Sequence, residues 1–264
     1  MARAKRHYIP GCIWHITHRC HKREFLLGFS KDRHRYLQWL YQARKRYGLT
    51  ILNYVVTSNH IHLLVADDGG RDVIPNSMQL VAGRTGQEYN QRKNRKGAFW
   101  EDRYHATAVE SGDHLARCMA YIDTNMVRAG VVSHPTSWPF CGYNEIQVPR
   151  RKNVLIDYER LQGLFGTESY EKLREIHKGW LEEYLGDGSK TRQDEWTDSI
   201  AVGSRTFIEK VKALLGFKAM GRDVKEGGGG YQLREEAISY NALFGPEKRD
   251  IGPKNTYFWA INYE

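Results

Sequence analysis

The chain of 264 residues is long enough for one large domain or two small ones, and either could bury a hydrophobic core. Its longest apolar runs are short, so we expect no transmembrane helix, and the basic N-terminus lacks the apolar stretch of a secretory signal. Four cysteines without a CxxC pair indicate neither a zinc site nor a disulfide framework. We therefore expect a cytoplasmic protein with reduced thiols.

The excess positive charge lies in the first part of the chain. Residues 1–149 carry 21 of the 40 Lys and Arg residues and 12 of the 31 Asp and Glu residues, which gives the whole net charge of +9. Residues 150–264 carry 19 residues of each sign and are neutral. A basic segment beside a neutral one favours a polyanionic partner, and nucleic acid is the partner that we expect. A soluble basic surface without a partner is the alternative.

Apolar periodicity predicts alternating strands and helices in the basic segment. In chain order, the pattern predicts a strand at 13–18, a helix at about 32–47, a hairpin of strands at 49–56 and 60–65, a helix at about 75–92, a strand at 104–109 and a helix at about 112–129. The first six elements have the order strand-helix-strand-strand-helix-strand. This order is that of a ferredoxin-like α+β core with an antiparallel sheet.

Residues 150–264 have a different pattern. The sequence predicts helical structure at about 154–185, a polar linker at 186–198 and an amphipathic helix at 204–215. We therefore predict one domain at 1–149 and a mostly helical C-terminal accessory region at 150–264.

Two histidines flank Ile61 in the third predicted strand. Because side chains alternate along an extended strand, His60 and His62 share one face. Two imidazoles on one face can supply half of a divalent-metal site. The triplet also occurs by chance in ordinary strands, so it does not by itself distinguish a metal site from a structural one.

A tyrosine and an asparagine lie four residues apart on the helix predicted at 112–129, and so share a flank of its apolar stripe. Tyr121 could be an ordinary half-buried tyrosine, and Asn125 an exposed residue near the helix end. Together with the two histidines, Tyr121 and Asn125 could form a site for phosphoryl transfer. A divalent ion held by His60, His62 and Asn125 would polarise a phosphate, which Tyr121 could attack to form a covalent phosphotyrosine. Imidazole and carbonyl ligands favour Mn²⁺ or Mg²⁺ over a closed zinc site.

Three segments resemble a known family, the single-tyrosine HUH transposases, and in particular the REP-associated tyrosine transposases of bacteria. They are residues 58–64 (SNHIHLL), 121–132 (YIDTNMVRAGVV) and 138–143 (WPFCGY). Met126 stands where the family usually has Pro, and Cys-Gly replaces Ser-Ser in the third segment. The resemblance covers roughly residues 7–145.

The resemblance implies a ferredoxin-like domain that cleaves and rejoins single-stranded DNA at hairpin-forming, REP-like repeats. Tyr121 would be the nucleophile of a 5′-phosphotyrosine intermediate. His60 and His62 would be the metal-binding pair for Mg²⁺ or Mn²⁺, with Asn125 as the assisting ligand. Such a protein would act as a monomer or homodimer and would be nucleoid-associated when bound to DNA.

Basic residues beside aromatic ones are candidates for contacts with a DNA strand, since cations bind phosphates and rings stack on bases. Charge, and not the family resemblance, predicts the contacts Arg19, Lys22, Arg23, Arg92, Lys93, Arg95, Lys96 and Arg103.

Two other functions remain open at this point. One is a catalytically silent, repressor-like nucleic-acid-binding protein that keeps the fold. The other is an unrelated metal-dependent hydrolase with a water nucleophile, which needs a general base near the metal. Asp123 is predicted on the wrong helix face for that base, and the sequence does not place Glu101.

Overall fold

The computed structural model describes residues 8–68, 70–186, 193–227 and 229–234. Every helix in these ranges is too short or too polar to cross a membrane. The thiols of the cysteines, all within these ranges, are free.

A mixed seven-stranded sheet forms the centre of the described part of the chain. Its strands are β1 (Ile13–Arg19), β2 (Thr50–Val56), β3 (His60–Ala66), β4 (His105–Val109), β5 (Ser199–Gly203), β6 (Val224–Gly227) and β7 (Gly230–Arg234). Their order across the sheet is β2-β3-β1-β4-β5-β7-β6. Neighbouring strands are antiparallel, except that β4 and β5 are parallel.

Helices connect and cover the strands. They are α1 (Ser30–Tyr47), α2 (Val73–Arg92), α3 (Asp113–Asp123), α4 (Asn125–Arg128), α5 (Gly142–Gln147), α6 (Tyr158–Phe165), α7 (Tyr170–Gly186), α8 (Glu195–Asp198) and α9 (Arg205–Leu215). Short 3₁₀ turns lie at His21–Arg23, Pro135–Ser137 and Gly216–Ala219. The α1 and α2 helices pack on each other, and α3 packs on β2, β3 and β4.

The α+β class and the order of the first six elements are confirmed. The predicted hairpin is also present, as β2 and β3 pair antiparallel across the turn at 57–59. Thr57 fixes this turn, because its hydroxyl oxygen accepts the backbone N–H groups of Asn59 (3.3 Å) and His60 (3.1 Å). β3 also pairs with β1 on its other side. The histidine strand is therefore held by hydrogen bonds on both edges.

The helix predicted at 112–129 is interrupted. It ends at Asp123, and a separate short helix begins at Asn125. Thr124 lies at the break, where its hydroxyl donates to the carbonyl of Ala120 at 2.7 Å. A side-chain hydrogen bond of this kind competes with the helical backbone pattern and bends helices. The break changes the direction of the chain at Asn125 and the residues that follow it.

The C-terminal region is richer in strands than predicted. The helices α6, α7 and α9 agree with the prediction, but β5, β6 and β7 extend the sheet from β4. The predicted polar linker at 186–198 is wrong at its end, where α8 carries the fully buried Trp196. These strands are four or five residues long, too short for a periodicity to identify. The division at residue 150 stays a prediction, although the sheet itself continues across it.

Candidate active site

One face of the sheet carries a row of polar side chains. Thr17 on β1 pairs with His62 on β3 and with His105 on β4. Two residues along β1, Arg19 pairs with His60. Because side chains alternate along strands, all five point to the same face.

A cleft with a volume of about 850 Å³ opens over this row. The four residues predicted to act in catalysis and metal binding all line it, namely His60, His62, Tyr121 and Asn125. Residues 197–198 line it as well, so the C-terminal region forms part of its wall. The structure therefore joins residues of β3, α3 and α4 with a segment that the sequence predicted to be a polar linker.

The imidazole of His60 is oriented by the hairpin turn. Its Nδ1 lies 2.7 Å from Oδ1 of Asn59 and 3.0 Å from Oγ1 of Thr57. An amide oxygen only accepts, so Nδ1 of His60 carries the proton in this arrangement. Nε2 then carries the lone pair that a metal ligand needs.

His62 and Asn125 are in direct side-chain contact. Nδ2 of Asn125 donates to Nε2 of His62 across 3.1 Å, and both residues are buried. Burial lowers the pKa of His62 well below its usual value, and the neighbouring His15 and His60 lower it further. His62 is therefore neutral at neutral pH and presents a lone pair without first losing a proton.

These residues fit a hard divalent ion. Adjacent ligand atoms at about 2.0–2.1 Å from one octahedral ion stand about 3 Å apart, which matches the 3.1 Å between Asn125 and His62. Rotation of the Asn125 amide would replace Nδ2 by Oδ1, an oxygen ligand. The rings of His60 and His62 are 5.0 Å apart between centroids. Within the described ranges, no group of three His, Cys, Asp or Glu residues is arranged to hold a metal, so a third protein ligand beside the two histidines would be of another type, such as the amide of Asn125.

Tyr121 packs against the metal-ligand candidates from α3. Its ring lies 5.7 Å from that of His62, edge to face, and only 3% of the residue is exposed. The guanidinium carbon of Arg128 lies 4.0 Å from the centre of the Tyr121 ring, and Nη1 of Arg128 donates to the Tyr121 carbonyl at 2.8 Å. The ring is therefore held in place by Arg128, which contacts both its face and its backbone carbonyl.

His15 supports His62 from β1. Nε2 of His15 lies 2.9 Å from Nδ1 of His62, and the two rings are stacked. On its other side, Nδ1 of His15 donates to the backbone carbonyl of Trp196 at 2.9 Å. Complete burial lowers the pKa of His15 to about 3. His15 is therefore neutral, with one ring nitrogen that donates and one that accepts.

The eight predicted DNA-contact residues fall into two places. Arg19 and Arg103 line the cleft, where Arg19 lies 3.8 Å from Glu101. Lys22 and Arg23 are exposed on the 3₁₀ turn after β1. That turn touches the histidine hairpin, because Nδ2 of Asn59 donates to the carbonyl of Arg23 at 3.1 Å.

The remaining four predicted contacts lie at the end of α2. Arg95 connects them to the 3₁₀ turn through an ion pair of 3.6 Å with Glu24. Arg92 is paired with the buried Asp32, so its charge is partly neutralised. Nζ of Lys93 lies 5.0 Å from the ring centre of Phe29, and Lys96 is exposed. The structure therefore places the Arg92–Lys96 cluster beside the loop near the hairpin and outside the cleft itself.

Sequence reasoning missed three residues that shape the site: His15, Arg128 and Trp196. His15 lies in the alternating pattern of β1, so its face was predictable but its neighbour on β3 was not. Arg128 lies in the second of the family-like segments, where the pattern assigns it no role. Trp196 follows no motif and stands in a polar stretch.

Comparisons with known proteins show what part of the chain resembles. Residues 8–125 match the family model described as "Transposase IS200 like", and this segment contains His60, His62, Tyr121 and Asn125. Residues 8–125, less than half of the chain, are therefore similar to the IS200-like transposase family. No curated protein matches it.

Solved structures of two transposases are similar to this chain. One is a REP-associated tyrosine transposase bound to a REP hairpin, with 20% identity, a TM-score of 0.48, and coverage of 56% of this chain and 87% of that one. The other is a putative transposase from Deinococcus radiodurans R1, with 18% identity, a TM-score of 0.33, and coverage of 46% and 96%.

Proposed function

We propose that this protein is a metal-dependent single-stranded DNA endonuclease and strand transferase. It cleaves and rejoins DNA at hairpin-forming, REP-like repeats through a covalent 5′-phosphotyrosine intermediate. One observation carries the proposal: Tyr121 and Asn125 both contact His62 at the floor of the same cleft. A tyrosine packed against neutral imidazoles and an amide is suited to attack a phosphate held there.

Tyr121 is the proposed nucleophile. Its phenolic oxygen forms a bond to phosphorus, and the bond from phosphorus to the 3′ oxygen of the preceding nucleotide breaks. The phenolic proton passes to solvent in the cleft, and the leaving 3′ oxygen takes up a proton to become a hydroxyl. Attack by the 3′ hydroxyl of another strand reverses these steps and restores the tyrosine. Arg128, 4.0 Å from the ring, stabilises the charge that develops on the phenolic oxygen.

His60, His62 and Asn125 are the proposed ligands of Mg²⁺ or Mn²⁺. When bound, the ion supplies Lewis-acid polarisation of the scissile phosphate and fixes its orientation. The chain's own contribution is to present two lone pairs from β3 and one amide oxygen from α4 on a rigid frame. We further propose that β1 to β4, α1 and α2 form a ferredoxin-like core that supplies this frame.

The exposed cations provide a path for the DNA strand. Arg19 and Arg103 at the cleft lie on the proposed route of the scissile phosphate. Lys22, Arg23 and the Arg92–Lys96 cluster continue the positive charge past the hairpin turn. These cations would bind phosphates and so hold the strand in register without reading its sequence.

The direct experiment uses a single-stranded oligonucleotide that carries a hairpin repeat from DNA beside the gene. With Mn²⁺, the wild-type protein should form an adduct that survives a denaturing gel. Tyr121→Phe removes only the phenolic oxygen and should abolish the adduct while leaving hairpin binding intact. Tyr41→Phe on α1 is the matched control and should react like the wild type. If the wild-type and Tyr121→Phe proteins bind equally and neither forms an adduct, the repressor-like alternative is favoured.

A further inference from the structure

Four groups form a continuous chain of hydrogen bonds beneath the cleft. The backbone carbonyl of Trp196 contacts Nδ1 of His15 at 2.9 Å, and Nε2 of His15 contacts Nδ1 of His62 at 2.9 Å. Nε2 of His62 then contacts Nδ2 of Asn125 at 3.1 Å. The chain begins on α8, beyond the IS200-like segment, and ends at the proposed ligands.

The direction of every bond in this chain follows from its first member. A carbonyl oxygen only accepts, so Nδ1 of His15 must carry a proton. A neutral imidazole has one N–H, so Nε2 of His15 accepts and Nδ1 of His62 donates to it. The second nitrogen of His62, Nε2, is then left with a lone pair, which faces Asn125 and the cleft.

We propose that His15 and the Trp196 carbonyl fix His62 in the tautomer with a proton on Nδ1 and a lone pair on Nε2. His15 is thus a positioning residue, and the segment after residue 149 is a working part of the site. The metal-binding consequence of this inference depends on the proposed function. The tautomer itself does not depend on it.

The surrounding packing holds these groups in fixed positions. His15 and Trp196 are fully buried, so an unpaired nitrogen or carbonyl there would be costly. The indole of Trp196 donates to Oε1 of Gln193 at 2.8 Å. Thr107 donates to the carbonyl of Ser199 at 2.7 Å, and β5 pairs with β4 directly afterwards. The carbonyl that begins the chain is therefore held by side-chain and strand contacts on both sides.

Supporting partners of this kind have a known effect on ligand histidines. The hydrogen bond on the distal ring nitrogen selects the tautomer and the ring orientation, and its loss typically weakens metal binding by about 10- to 100-fold. In a small cleft with an amide as third ligand, the wrong tautomer would aim an N–H at the ion.

The tautomer can be measured in the metal-free wild-type protein. Long-range ¹H–¹⁵N spectra distinguish the protonated from the unprotonated nitrogen of each imidazole, and a His62→Gln spectrum identifies the signals of His62 among the 11 histidines. We expect His62 with its proton on Nδ1 and His15 likewise. A His62 with its proton on Nε2 would overturn the proposal.

Two substitutions test this hydrogen-bond relay, meaning the chain of hydrogen bonds from the Trp196 carbonyl through His15 to His62. His15→Phe keeps an aromatic ring at this position and removes both nitrogens, so His62 should become a mixture of tautomers. Mn²⁺ binding, measured by electron paramagnetic resonance, should then weaken by about 10- to 100-fold. His15→Gln retains one acceptor and one donor, and it should keep Mn²⁺ affinity close to the wild-type value. Equal Mn²⁺ affinity in the Phe variant and the wild type would contradict the relay.

The outcomes separate this inference from the proposed function. If the wild-type protein binds no Mn²⁺ yet His62 carries its proton on Nδ1, the metal proposal fails and the tautomer relay stands. If the His15→Phe variant does not fold by circular dichroism, the wild-type spectrum and the Gln variant decide the matter.

Discussion

The side chains of Asn125 and His62 meet at 3.1 Å, although 63 residues separate them in the chain. One lies on a short helix after a break, and the other lies on a strand paired at both edges. This contact adds the amide of Asn125 to the histidine pair of the proposed metal site, and rotation of that amide would present its oxygen instead of Nδ2. It also places the proposed ligands beside the ring of Tyr121.

Replacement of Asn125 tests this contact. Asn125→Ala should weaken Mn²⁺ binding and slow adduct formation, each by about tenfold or more, because it removes one of the three proposed protein ligands. Asn125→Asp retains an oxygen at the same place and should keep both properties. The measurements are Mn²⁺ titration and single-turnover adduct formation. Asn153→Ala, on an exposed turn, serves as the control. Full activity of the Ala variant would exclude Asn125 from the site.

Asp123 links α3 to β2 and α7 through buried hydrogen bonds. It is buried, and its two carboxylate oxygens contact Nδ2 of Asn53 at 2.9 Å and Nε2 of His177 at 2.8 Å. Asp123→Ala removes the buried acceptor of both Nδ2 of Asn53 and Nε2 of His177, and it should lower the free energy of unfolding by about 3 kcal/mol. Urea unfolding measures this change, and Asp113→Ala, exposed in the first turn of the same helix, should leave stability nearly unchanged.

The same Asp123 variant also bears on the hydrolase alternative. At urea concentrations below its unfolding transition, the folded Asp123→Ala protein should still form the DNA adduct, because the proposed nucleophile is Tyr121. A folded variant that binds DNA but forms no adduct would assign Asp123 a direct part in the chemistry.

Stability should decrease at acidic pH because of the buried histidines. Burial lowers the pKa of His15 to about 3 in the folded protein, against about 6.5 in the unfolded chain. Below pH 6.5 the unfolded state therefore binds more protons than the folded state. The contribution of His15 to the free energy of unfolding is fully present above that pH and is lost as the pH falls towards 3. One such group contributes a slope of up to about 1.4 kcal/mol per pH unit.

The contribution of His15 is measured by urea unfolding between pH 7 and pH 5 in the presence of a chelator. His15→Gln should show a shallower loss of stability than the wild type. His34→Gln, at an exposed position on α1, should retain the wild-type slope. An identical slope in the wild type and the His15→Gln variant would contradict the assigned neutral state of His15.

The fold could be predicted from the sequence where the pattern is local. Alternation along β1 and β3 and the turn at 57–59 are properties of neighbouring residues, and they placed His60 and His62 on one face. The break at Thr124 was not predictable, since it depends on a hydroxyl bond to Ala120 and on Arg128 reaching back. The helical spacing nevertheless brought Tyr121 and Asn125 to the correct side.

The missing part of the site depends on contacts between distant segments. β5 pairs with β4 across about ninety residues of sequence, and this pairing, with the hydrogen bond from Thr107 to the Trp196 carbonyl, brings Trp196 beneath His15. A five-residue strand after a polar stretch gives no periodic signal. Likewise, the alternation of β1 shows the face of His15 but not which residue of β3 it meets.

The exposed cations make a further prediction. Replacement of Lys22 and Arg23 by Gln should weaken binding of single-stranded DNA and make its dependence on salt less steep, by about 0.7 in the logarithmic slope for each phosphate that the variant no longer binds. Fluorescence anisotropy over a salt series measures both. Lys172→Gln on α7, where the lysine pairs with Glu175 at 3.3 Å, is the control and should change neither. An unchanged slope in the double variant would remove this turn from the DNA path.

The most direct test of the account locates the covalent bond. The wild-type protein is incubated with the hairpin oligonucleotide and Mn²⁺, digested with nuclease and trypsin, and examined by mass spectrometry. Trypsin releases residues 118–128, a peptide whose one tyrosine is Tyr121. We expect a phosphonucleotide on this peptide at Tyr121. Cleaved DNA without any adduct on this peptide, or an adduct on another residue, would contradict it.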